Sequence, residues 1–91
     1  MITQEKLELE FPFNRRVSGL LKFDDISGAN KIAVIASFYL FINDKHNGFV
    51  EVQGTAWEEK LAYNVSSYKL LPEELNIVKS YMYKRYKEYN N

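Results

Sequence analysis

Leu7, Leu9, Phe11 and Phe13 alternate with Glu8, Glu10 and Pro12, a period of two that predicts a strand with one face in a core and one in water. Pro12 has no N–H for a ladder, so this strand lies at a sheet edge or ends there. After Arg15 and Arg16, Val17, Gly19, Leu21 and Phe23 alternate with Ser18, Leu20 and Lys22 and predict a second strand. The turn-forming residues of 24–30 (DDISGAN) close it.

Residues 31–43 are apolar on both alternating faces, with Ile32, Val34, Ala36, Phe38, Leu40 and Ile42 on one and Ala33, Ile35, Tyr39 and Phe41 on the other. Such a strand is central, and it is either covered on both sides or covered once and joined to a partner chain on the other. A buried helix is the rival reading of 31–43; the β-branched and aromatic content and the turn that follows favour the strand. The turn falls in 43–48 (NDKHNG), where Asn47-Gly48 is the strongest hairpin pair, placing His46 in a loop and a partner strand over 49–56. Leu61, Tyr63 and Val65 alternate with Lys60, Ala62, Asn64 and Ser66 and predict a strand over 60–68. Thr55 and Glu58 have capping-box spacing, so a helical turn at 57–60 competes with it.

The segment 70–89 predicts a helix, with Pro72 at the first helical position, Glu73 and Glu74 at the positive end of the dipole, and Lys84, Arg85 and Lys87 near the negative end. At 100° per residue, Leu71, Leu75, Val78, Met82, Tyr86 and Tyr89 form the core-facing stripe. Glu74, Ile77, Tyr81, Lys84 and Arg85 fall on a second, mixed flank, and Tyr83 falls on the opposite one at the margin of the sheet. The predicted architecture is α+β: an antiparallel β-meander of about five strands with one C-terminal α-helix packed across one face. A helix of about 18 residues is roughly 27 Å long and covers one sheet face, which leaves Ile35, Tyr39 and Phe41 in need of sheet curvature or a partner.

Composition narrows the function classes. The 91 residues are 46% hydrophobic and 15% aromatic, which fits one globular domain over 1–91 with frayed ends. Twelve Lys and Arg balance twelve Asp and Glu, removing the strong positive field of a dedicated duplex-DNA or membrane-surface binder. The charge is polarised, with six cations and nine acids in 1–59 against six cations and three acids in 60–91. There is no cysteine, hence no disulfide or zinc-ribbon pattern. The start is charged rather than apolar, and the longest apolar run, 32–42, is well short of the roughly 20 residues a helical membrane span needs. A cytoplasmic protein is the expectation. Lys, Asn, Tyr, Ile and Phe supply 36 of the 91 residues, a bias that AT-rich codons produce and that suits a phage or mobile-element origin.

Chemistry-bearing clusters are sparse. The only histidine, His46, stands with Asp44 as at most two metal ligands, and the adjacent pairs Asp24-Asp25 and Glu58-Glu59 point to opposite faces of a strand. No phosphate-binding glycine pattern occurs. An enzyme using Glu58, Glu59 or His46 is the weakest reading, and no catalytic residue, cofactor, metal or small-molecule substrate is expected. The preferred reading is a non-enzymatic domain that binds another protein and forms a homodimer, using Ile77, Tyr81, Lys84 and Arg85 on the helix and Ile35, Tyr39 and Phe41 on the sheet. The alternative is single-stranded nucleic acid, bound by Arg15, Arg16, Lys84 and Arg85 with Tyr81 as a stacking surface.

Overall fold

A computed structural model describes residues 2–26, 31–57 and 60–89. Five antiparallel strands form one open sheet: β1 (Ile2–Phe11), β2 (Arg15–Ile26), β3 (Lys31–Ile42), β4 (Lys45–Trp57) and β5 (Lys60–Val65), in the spatial order β1-β2-β3-β4-β5. The helix α1 (Pro72–Tyr89) packs across one face, giving the α+β meander that the hydrophobic pattern predicts. No helix among the described residues is long and apolar enough to cross a membrane.

The doubly apolar β3 is the central strand. Its Val34, Ala36, Phe38 and Leu40 are buried under α1 with Leu7 and Phe11 of β1, Val17, Leu21 and Phe23 of β2, Val50, Val52 and Ala56 of β4 and Leu61 of β5. The helix contributes Val78, Met82 and Tyr86, and Tyr89 stacks on Phe23 with ring centroids 4.6 Å apart. Burial follows the period of two along each strand, so one face of the sheet forms the core.

Several boundaries differ from the expectation. Pro12 ends β1, which leaves Phe13 in the turn at φ 67° rather than on the core face. The β3–β4 turn is Asn43-Asp44, both at positive φ, and Asn47-Gly48 lies inside β4, where the register slips by one residue between Tyr39 and Phe41 of β3. Gly48, at φ 116°, supplies that bulge, a backbone state that side-chain-bearing residues rarely adopt. His46 is therefore a strand residue. β2 continues through Ile26, past the first acids of the expected turn; 27–30, the pair Glu58-Glu59 and the expected frayed end at 90–91 lie outside the described residues. β4 runs as strand to Trp57 and β5 starts at Lys60, ending at Val65 rather than 68.

On the helix, Leu71 is exposed rather than part of the buried stripe, and Glu74, expected on the accessible flank, is only 2% exposed. Both corrections have one cause. Leu71 caps the helix, its N–H donating to Glu74 Oε1 at 2.9 Å, which turns the carboxylate inward to meet Arg15.

Candidate functional site

The sheet face turned away from α1 carries the even residues of β1 and β2 and the odd residues of β3, with β4 joining from both sides of its bulge. Register sets these residues in rows. Glu10, Arg16, Phe41 and His46 form one row, Glu8, Ser18, Tyr39 and Phe49 the next, then Lys6, Leu20, Ser37 and Glu51, then Gln4, Lys22, Ile35 and Gln53. The first two rows gather the aromatic side chains at the end of the sheet where both tight turns lie, tied together by the Asn43 N–H donating to Asn14 O at 2.9 Å.

The aromatic rows form one connected cluster. The Tyr39 ring lies 5.0 Å from His46 and meets Phe49 edge-on at 5.3 Å, while Phe41 meets His46 edge-on at 5.9 Å. The Arg16 guanidinium sits 4.3 Å above the Phe41 ring and 3.6 Å from Asp44, so it roofs one end of the cluster. Tyr39 and Phe49 are each 47% exposed, Leu20 is exposed, and Ile35 and Phe41 are half-buried. Phe13, 85% exposed, projects from the turn at the same end. Charge on this face is mixed: Lys6, Arg16, Lys22 and Lys60 against Glu8, Glu10, Asp24 and Glu51. Ser37 donates to Glu51 and Ser18 to Glu8, both at 3.4 Å, which keeps two of these acids close to the sheet.

Of the arginines named for the nucleic-acid alternative, Arg15 and Arg16 point to opposite faces of the sheet. Arg15 lies on the helix side, where Nε donates to Glu74 Oε2 at 2.6 Å and Nη2 to Glu74 Oε1 at 3.0 Å and to Lys69 O at 3.2 Å. The hydrogen-bonded carboxylate raises the Arg15 pKa, so this cation is permanently charged and committed to the fold. Arg16 alone remains at the sheet surface.

The predicted helix flank is likewise divided. Arg85 forks onto Glu5 of β1, with Nε to Oε1 at 2.7 Å and Nη2 to Oε2 at 2.6 Å, and Nη1 donates to Glu88. Tyr81 is half-buried against the core, whereas Ile77 and Lys84 are exposed. Lys84 lines a groove toward β5 together with Tyr63, Lys79, Tyr83 and Lys87. Sequence reasoning missed Phe49, Leu20 and His46 on the open face and the β5 groove; the Phe49 to Val52 alternation carried the cue for Phe49, but its face depended on the bulge. Among the described residues no group of three or more His, Cys, Asp or Glu could hold a metal ion.

The fork from Arg85 lowers the Glu5 pKa below the ordinary carboxylate range. Glu5 therefore contributes stability that is fully present above its unfolded pKa of about 4.3 and is lost as pH falls through the lower folded value. Arg85→Met is expected to cost about 1–3 kcal/mol at pH 7 and less at pH 3, where Glu5 in the unfolded chain is protonated. Urea midpoints of both proteins at the two pH values check this; an equal gap at both contradicts it.

Comparison with protein-family models, with curated proteins and with solved structures returns no match to this chain.

Proposed function

We propose that this chain is a non-enzymatic protein-binding domain that associates with a second copy of itself through the open face of its sheet. The observation that carries the reading is the edge-to-face Tyr39–Phe49 pair, half-exposed beside Phe41 and Arg16 in the middle strands of a sheet whose other face is already covered. Tyr, Phe and Arg are the side chains enriched in the cores of protein interfaces. The second copy is favoured as occupant because the cations Lys6, Arg16 and Lys22 share this face with the acids Glu8, Glu10 and Glu51, a balance that suits a two-fold interface in which one patch meets itself. The same balance disfavours a polyanion, since Glu8, Glu10 and Glu51 flank the rings on which bases would stack. The AT-rich residue bias extends the proposal to a cytoplasmic phage or mobile-element protein acting on a host protein, with Ile77 and Lys84 free for that second contact.

Sedimentation velocity at high micromolar concentration is expected to give a dimer, and Tyr39→Lys with Phe49→Lys is expected to give a folded monomer. A wild-type monomer under these conditions, or a dimer unaffected by both lysines, overturns the reading. Fluorescence titration with a single-stranded oligonucleotide at low salt decides the nucleic-acid alternative, for which salt-sensitive binding lost on Arg16→Ala is the required result.

A further inference from the structure

β5 is the edge of the sheet, and its ladder to β4 uses alternate residues. Ser66 N–H donates to Glu51 O while Glu51 N–H donates to the Ser66 hydroxyl, both at 2.9 Å, so positions 60, 62 and 64 address β4 in the same phase. Leu61, Tyr63 and Val65 consequently turn their main-chain N–H and C=O groups to the free edge. Beside that edge, between β5 and α1, runs an open groove of about 600 Å³. Tyr63 forms its floor, with its hydroxyl donating to Lys79 O at 3.1 Å. Burial, and next the neighbouring Tyr83, raise the Tyr63 pKa, so that hydroxyl stays protonated.

The groove is cationic. Lys79 Nζ lies 5.3 Å over the Tyr63 ring and Lys87 Nζ 5.5 Å over the Tyr83 ring, and Lys84 lines the rim. Among the described residues none of these three lysines has a carboxylate within ion-pair distance, and the one acid of the lining, Glu88, is held by Arg85. From the geometry we infer that this edge and groove dock an extended acidic peptide, which adds to β5 as a sixth strand and lays alternate acidic side chains along the lysines.

Spacing supports the fit. Lys79, Tyr83 and Lys87 follow one another at four-residue steps, about 6 Å along a helix axis, and same-face residues of a strand recur at about 6.6–6.8 Å. A peptide with acids at alternate positions therefore brings two acids four residues apart to Lys79 and Lys87 in register. Free main-chain groups at the edge favour a peptide over nucleic acid, because only another backbone offers the matching donor and acceptor repeat. The inference rests on the protein-binding half of the proposal and not on the dimer, whose residues lie on the opposite face.

The test is fluorescence anisotropy of the full chain with labelled, end-capped peptides of about ten residues, alternating Glu and Val, Lys and Val, or Glu and Val N-methylated along one edge. The Glu/Val peptide is expected to bind, the Lys/Val peptide not to bind, and N-methylation to weaken binding at least about tenfold. Lys79→Glu with Lys87→Glu, both surface changes, is expected to weaken it by a similar factor while leaving the far-UV spectrum unchanged. Absence of Glu/Val binding, equal binding of the N-methylated peptide, insensitivity to the double lysine change, or tighter binding of a ten-nucleotide oligothymidylate each overturns the inference. Sedimentation of the same sample separates the two ideas: a monomer that binds the peptide retires only the dimer, and a dimer that ignores it retires only the groove.

Discussion

Gly19→Ala is expected to lower the stability of the domain by about 3 kcal/mol or more. Gly19 pairs with Leu7 on β1 and with Phe38 on β3, on the face that α1 covers. A Cβ there would lie 2.0 Å from the Ser37 carbonyl oxygen, 2.5 Å from the Phe38 Cα and 2.8 Å from its Cβ. Two of those atoms are backbone of the central strand, so relief requires displacing β3 from β2 rather than rotating a side chain. Overpacking typically costs about 1–3 kcal/mol and more where the neighbour is rigid, against a total stability on the order of 5–14 kcal/mol for a domain of this size. The paired control is Gly54→Ala on β4, whose added Cβ meets Tyr63 Cε1 at 3.4 Å and Leu61 Cδ1 at 3.5 Å, near ordinary contact. That change is expected to shift stability by less than about 1 kcal/mol. Urea unfolding followed by circular dichroism compares the two, and similar midpoints for both variants contradict the packing described for β2 and β3.

Glu74→Ala is the second large effect, expected to cost about 3–5 kcal/mol. The carboxylate is buried and serves three donors: Arg15 Nε, Arg15 Nη2 and the Leu71 N–H that opens the helix. Alanine strands a largely buried guanidinium and removes the helix cap at once, and both terms act in the same direction. A buried pair is not itself a large net stabiliser, because desolvation offsets much of the attraction. The double change Arg15→Met, Glu74→Leu is therefore expected to recover most of the loss, short of the cap. If the double variant is as unstable as Glu74→Ala, the pair is not the cause and the cap carries the whole effect.

Much of this fold was legible in the chain. Alternation gave the core faces of β1 and β2, the doubly apolar run from Val34 to Ile42 marked the central strand, and Val78, Met82 and Tyr86 marked the buried stripe of α1. These features follow from local periodicity, since a strand or helix buries one face whatever its neighbours are. The open face was legible in part: Ile35, Tyr39 and Phe41 were named from β3 alone. Their companions Phe49 and His46 depend on how β4 pairs, and two turns competed for that role. A two-residue turn at Asn47-Gly48 would set Val50 opposite Lys45 and Val52 opposite Asn43. The turn at Asn43-Asp44, together with the one-residue bulge at Gly48, sets Val50 opposite Phe38 and Val52 opposite Ala36, and the burial of all four decides between them.

What the chain by itself determined, then, is the number and kind of elements and which side of each is apolar, because those depend on residues a few positions apart. Only the tertiary structure decided the fate of the charges. Arg15 reaches Glu74 across 59 positions and Arg85 reaches Glu5 across 80, so two cations that look available in sequence are spent on holding the helix to the sheet. Charge pairing acts through space at a few ångströms, and chain separation carries no record of it. The same proximity leaves Arg16 above Phe41 on one face, and Lys79, Lys84 and Lys87 along the β5 edge on the other, at the two surfaces where a partner is proposed.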